Sequence, residues 1–253
     1  MKSNDRSACR RIAYAALIFF TCLLLPASGF AQVQPVKTPS HRQPPPIGAE
    51  VSSEQVKTIL LNKTEPVVDV RSPKEYSIAH IPGSLNIFET ELEAMAKLLP
   101  DKNAGMVIYC NGPYCHKVER VAEDLFKRGY MNVKRYQLGL PVWRAEGNTV
   151  QTDLEGFKYI FSREKTAVFV DARNKTHFAQ DTVPGAVSIQ SGEVDKANIG
   201  GPLPYTDKGT WVIVFADRPD AAMKVAEEIA HKAFWNSSYF GGSFTELKKA
   251  GLW

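Results

Sequence analysis

The chain has 253 residues, 44% of them hydrophobic and 23% charged, with a formal net charge of +4. That length fits one large domain or two ordinary ones, and the apolar content suffices for a packed core. No basic patch interleaved with aromatic residues occurs, so a nucleic-acid partner is not expected.

Residues 1–31, "MKSNDRSACRRIAYAALIFFTCLLLPASGFA", combine a basic start, an apolar run from Ile12 to Leu25 and a small-x-small site at Gly29-Phe30-Ala31. This is the pattern of a secretory signal peptide, and the apolar run is short for a membrane span. Cleavage there removes Lys2, Arg6, Arg10 and Arg11 against Asp5 and leaves a net charge of about +1. It also removes Cys9 and Cys22, so Cys110 and Cys115 remain as the mature pair, in a periplasmic or secreted protein where disulfides persist. No membrane span is expected after cleavage. Residues 32–49 begin "QVQPVKTPSHRQPPP" and read as an extended proline-rich linker.

The remainder contains one internal repeat. "VVDVRSPKEYSIAHIPGSLNI" at 67–87 lies over "FVDARNKTHFAQDTVPGAVSI" at 169–189 with a constant shift of 102 residues. Asp69 and Arg71 fall on Asp171 and Arg173, and Pro82-Gly83 on Pro184-Gly185. Further on, "VAEDLFKRGYMN" at 121–132 lies over "VAEEIAHKAFWN" at 225–236. One repeat of domain length implies duplication rather than a solenoid. Two domains are expected, 50–150 and 151–253.

In each copy β-rich runs alternate with helical patterns. Val67–Val70, Met106–Tyr109 and Val133–Tyr136 read as strands in the first copy, and Val168–Val170 and Trp211–Phe215 in the second. Val118, Val121, Ala122 and Leu125 share one helical face, and Gly129 is placed to end that helix. Ala222, Val225, Ala226 and Ile229 repeat the face. The alternation predicts an α/β fold with a mostly parallel sheet covered by helices, whose ligands gather at the carboxyl ends of the strands.

Cys110 stands where one such strand stops. The adjoining "NGPYCHK" loop, Asn111, Gly112, Pro113, Tyr114, Cys115, His116 and Lys117, leads into the helix. Loop amides and a helix N-terminus form an anion cradle that favours a thiolate. Gly112 permits close backbone approach, whereas Pro113 supplies no N–H. Arg120 is a candidate anion contact one turn on, with a solvated helix face as its alternative role. Cys115 reads either as an inert spacer or as a resolving thiol that closes a disulfide with Cys110. Neither a metal nor a cofactor is expected.

On "VVDVRSPKEYSIAHIPGSLNI", "VIYC" and the closing "LGLPVW", the chain resembles the rhodanese family over nearly all of residues 50–253. The resemblance implies two tandem rhodanese-like domains, each a central, mostly parallel β-sheet flanked by helices. It also implies sulfane-sulfur transfer from thiosulfate or a similar donor, through a persulfide on Cys110, to a thiol, protein or other thiophilic acceptor. The second copy departs from the pattern, with Ala216-Asp217-Arg218-Pro219 where the cysteine loop belongs, and is expected to be catalytically silent. Tandem members more often carry the active cysteine in the second domain, the reverse of this order. Two further readings stay open: a thiol–disulfide redox protein using Cys110 and Cys115, and a non-enzymatic sulfur-carrier or binding module. Asp69 and Arg71 read as a structural pair because the second copy keeps both; His80, replaced there by Thr182, stays a functional candidate.

Overall fold

The computed structural model describes residues 48–199 and 201–253. The expected signal peptide and nearly all of the expected linker lie outside the described residues. Among the latter, no helix is long and apolar enough to cross a membrane.

The first half runs α1 (Ser53–Asn62), β1 (Val67–Asp69), α2 (Pro73–Ile78), β2 (Leu85–Asn86), α3 (Met95–Leu98), β3 (Met106–Tyr109), α4 (Lys117–Lys127), β4 (Val133–Tyr136) and α5 (Gly139–Ala145). The second runs β5 (Val150–Thr152), α6 (Leu154–Arg163), β6 (Val168–Asp171), α7 (Lys175–Gln180), β7 (Val187–Ser188), α8 (Val194–Asn198), β8 (Val212–Phe215), α9 (Pro219–Ala230), β9 (Ser237–Phe240) and α10 (Phe244–Lys249).

Two sheets result, ordered β2-β1-β3-β4 and β7-β6-β8-β9-β5, with every pairing between these strands parallel. The second half thus repeats the strand order of the first. The fifth position of the first sheet is held by a single parallel bridge, Glu50 to Arg135, where the second sheet has the full strand β5 beside β9. Both halves are α/β, as the alternation of strands and helices predicts.

Parallel strands buried on both faces carry apolar side chains in both directions. Along β3, Ile108 and then Cys110 join Val118, Val121 and Leu125 of α4. Val107 and Tyr109 turn the other way, toward Val56 of α1 and Leu140 of α5. Local signals set the helix ends. Ser52 with Gln55, and Ser72 with Glu75, form reciprocal capping boxes at α1 and α2. Gly129, at φ +93°, closes α4 in the left-handed region, and Tyr130 N donates back to Leu125 O at 3.0 Å.

Helix α2 of the first half packs on α6 of the second. His80 and Gln151 exchange two backbone hydrogen bonds, 3.0 and 2.9 Å, and Asp153 N donates to Ser77 O at 2.8 Å. A Cβ at Gly156 would lie 2.0 Å from Ser77 O, so the approach of α6 to α2 requires glycine there. His80 itself is buried, its ring stacked on Tyr76 with centroids 3.8 Å apart and its Nδ1 donating to Tyr76 O at 2.8 Å. Burial lowers its pKa, more than the Tyr76 carbonyl and Asp153 raise it.

Gly156→Ala should therefore part α2 from α6 and cost about 2 kcal/mol, read as a lower urea midpoint. Because burial lowers the His80 pKa in the fold, the unfolded chain binds more protons than the folded one as pH falls below about 6.5. Stability should fall in that window, and His80→Gln should flatten this part of the pH profile of the urea midpoint; an unchanged profile would refute the assignment.

Candidate functional site

The carboxyl end of β3 is fixed first by its neighbour β1. Asp69 ends β1 fully buried, and its carboxylate accepts from Arg71 N at 2.9 Å, Nε at 3.0 Å and Nη2 at 2.5 Å. Arg71 lies just beyond the strand rather than within it, and folds back to make this pair. Its Nη2 also donates to Ala79 O at 2.6 Å, and its Nη1 to Asn111 Oδ1 at 3.3 Å. The other end of the Asn111 amide, Nδ2, donates to Glu75 Oε1 at 2.7 Å. The first residue of the cysteine loop is thereby clamped between Arg71 and Glu75. Burial works to raise the Glu75 pKa, but hydrogen bonds from Ser72 and Asn111 and the charge of Arg71 hold it below the ordinary carboxylate value.

Cys110 comes directly after β3 and is 1% exposed. It is joined to Cys115 by a disulfide across 6.4 Å between Cα atoms. Cys115 is partly buried against the same core cluster. Between them the loop turns on itself: Cys115 N donates to Gly112 O at 2.9 Å, and Gln137 Nε2 to Pro113 O at 3.1 Å. Gly112 adopts φ +116°, open in practice only to glycine.

The loop also rests on a glycine that sequence reasoning passed over. Gly139, at φ +62°, begins α5, and Leu140 N donates to Cys110 O at 3.1 Å. A Cβ on Gly139 would lie 2.4 Å from both Cys110 O and Gly112 N. The "LGLPVW" stretch contained the signal, a glycine flanked by leucines after a strand; its partner, 29 residues upstream, was not visible.

The remaining loop residues face solvent. Tyr114 is 94% exposed. His116, Lys117 and Arg120 sit within reach of α4's start, and each meets a carboxylate. His116 Nδ1 lies 3.2 Å from Glu119, while Lys117 Nζ and Arg120 Nη2 share Glu89 at 2.9 and 3.2 Å. Such exposed pairs are worth only about 0–1 kcal/mol. The structure brings Asn111 and the two cysteines together on one loop, with Arg71 and Glu75 behind them. No cluster of three metal-ligating side chains occurs among the described residues.

The second half repeats the scaffold with other chemistry. Asp171 and Arg173 reproduce the buried pair, with 2.9 Å from Arg173 N and 2.8 Å from Nη2. At the end of β8 stands buried Ala216, then Asp217, which lies 3.2 Å from His177 Nδ1 and 3.9 Å from Arg173 Nη1. Where the first half has an amide between arginine and glutamate, the second has a carboxylate between arginine and histidine. No nucleophile occupies this position.

Residues 52–146 match the family model of the "Rhodanese-like domain". An HTH-type transcriptional regulator of Mycobacterium tuberculosis is 39% identical over 85 residues, 32% of this chain and 35% of its own length. A tRNA uridine(34) hydroxylase of Streptococcus pneumoniae is 26% identical over 144 residues, 54% of this chain and 43% of its own. The chain thus spans less than half the length of these curated relatives. Among solved structures, the thiosulfate sulfurtransferase of Pseudomonas aeruginosa is 18% identical with a TM-score of 0.38, covering 80% of this chain and 42% of that one. A human single-domain sulfurtransferase is 24% identical with a TM-score of 0.33, covering 36% and 91%.

Gly139→Ala combines the clash beneath Cys110 with a strained φ and should destabilise by about 2 kcal/mol. Urea unfolding measures this, and an unchanged midpoint would show that the loop does not rest on that residue.

Proposed function

With residues 52–146 forming a rhodanese-like domain, we propose that this chain is a sulfurtransferase whose nucleophile is Cys110 and whose resting form is the Cys110–Cys115 disulfide. The observation that carries the reading is the position of Cys110: directly after β3, ahead of the N-terminus of α4, on a loop clamped by Asn111. Among the described residues, only the Cys115 amide of the 111–116 loop donates to a backbone carbonyl. Loop amides and the helix terminus then stabilise a thiolate and the anionic persulfide formed from it.

A thiol reductant first opens the disulfide, being oxidised to its own disulfide and leaving two thiols. The Cys110 thiolate attacks the outer sulfur of thiosulfate; the S–S bond of the donor breaks, sulfite leaves, and Cys110 carries a persulfide. An acceptor thiolate or cyanide takes the outer sulfur and returns the Cys110 thiolate. Where no acceptor arrives, the outer sulfur takes a proton from water, and the Cys115 thiolate attacks Cys110's own sulfur, expels hydrosulfide and restores the disulfide.

Residues 1–31 support a periplasmic or secreted location, where such a disulfide persists. Residues 151–253 form in this reading a second rhodanese-like domain without a nucleophile. The disulfide itself favours one other reading, a thiol–disulfide exchange protein in which no persulfide forms.

Peptide mass spectrometry of the 110–115 loop separates the two. After reduction and thiosulfate, the wild type should gain the mass of one sulfur atom on Cys110, and none without reduction. Cys115→Ser should take up sulfur without prior reduction, and Cys110→Ser should fall to background transfer. Retained turnover in Cys110→Ser would sink the assignment. Absence of sulfur uptake in the reduced wild type, with loss of thiol exchange in Cys115→Ser, would establish the exchange protein.

A further inference from the structure

The two sulfurs of the Cys110–Cys115 disulfide are unequally placed. Cys110 is 1% exposed and belongs to the buried cluster with Ile108, Val118 and Val121. Cys115 is only partly buried where it packs against that cluster. Its neighbours in the chain are open to water: Tyr114 is 94% exposed and the His116 side chain 76%. Of the two cysteines, only Cys115 has surface at which an incoming group can arrive.

To open a disulfide, a thiolate attacks one sulfur in line with the bond that breaks, and the other sulfur leaves with the electron pair. The choice between the sulfurs is set by access and by how well the leaving one is stabilised as a thiolate. Access excludes attack on Cys110. Leaving-group stability points the same way. Cys110 lies between β3 and α4, on a loop in which the Gly112 and Tyr114 amides donate to no backbone carbonyl among the described residues. Amides left free in this way stabilise a thiolate, and a stabilised thiolate leaves faster.

We propose that Cys115 is a thiolation site, the sulfur through which a small thiol enters the loop. The small thiolate attacks Cys115 Sγ, the Cys110–Cys115 bond breaks, Cys110 leaves as a thiolate, and Cys115 carries the small thiol as a mixed disulfide. A second small thiolate then attacks the small thiol's own sulfur, forms a symmetrical disulfide with it and releases the Cys115 thiolate. Between the two steps Cys110 is free while Cys115 is capped. A capped Cys115 has no thiolate with which to expel hydrosulfide, so a persulfide on Cys110 is protected in this state. The inference rests on the disulfide resting form proposed above. Its test reads the site of addition and needs neither sulfur uptake nor turnover, so its failure and that of sulfur transfer are told apart.

The non-reduced protein is exposed to glutathione or, separately, to sulfite, which leaves a stable S-sulfonate on the sulfur it attacks. Each reaction is quenched at low pH with excess N-ethylmaleimide. The tryptic peptide 103–117 holds both cysteines, and tandem mass spectrometry places each group on one of them. With both reagents the adduct should sit on Cys115 and the maleimide on Cys110, in about tenfold or greater excess over the reverse pattern. In concentrated urea the two patterns should approach equal amounts, because the fold imposes the difference. Comparable adduct on Cys110 in the native chain, a preference for Cys115 that persists in urea, or no adduct from either reagent at millimolar concentration would overturn the proposal. Free thiols in the untreated peptide would instead refute the resting disulfide, and the choice of sulfur with it.

Discussion

Each half is organised around a carboxylate buried at the end of a central strand. Asp69 and Asp171 are both inaccessible to solvent, and each is compensated by an arginine two residues on. A charge placed there without a partner would cost several kcal/mol, and removing one member of such a pair typically costs about 3–5 kcal/mol. The arginine is therefore obliged to turn back on the strand. Its remaining donor then reaches the carbonyl that ends the next helix, Ala79 in one half and Asp181 in the other. Strand end, arginine and helix end are locked in one arrangement, and the loop leaving the neighbouring strand is positioned against it.

That loop differs between the halves in chemistry rather than in architecture. In the first, the neighbouring strand delivers Cys110, and the next residue, Asn111, can satisfy Arg71 with its carbonyl and Glu75 with its amide. A neutral amide adds no negative charge to the neighbourhood of Cys110. In the second, Asp217 takes the same place between Arg173 and His177, and its carboxylate answers the local positive charge. The same frame is thus electrostatically open in one half and filled in the other.

The disulfide adds a chemical state to the first site. Cys110 is buried against α4, and Cys115 reaches it because the intervening loop turns on Gly112 and is supported from beneath by Gly139. The covalent link is confined to a six-residue loop. The cleft beside it is lined by Leu140, Pro141 and Arg144 of α5 and by Trp211 and Trp235.

Much of this was legible in the sequence. Short β-rich runs and a 3.6-residue periodicity gave β3, β4 and α4, since those patterns depend on burial along a single element. The constant shift of 102 residues predicted two similar sheets, and the pairing of Asp69 with Arg71 could be inferred from their persistence in both copies. Cys110 stood out because its place after a strand and before a helix is a local fact. The short elements β2, α3 and α8 were not legible, because two to five residues carry too little pattern to signal a period. The clamp of Glu75 on Asn111 and the support of Gly139 under Cys110 join residues 36 and 29 positions apart. Such contacts are set by how elements pack in space, which is why the tertiary structure alone decided them.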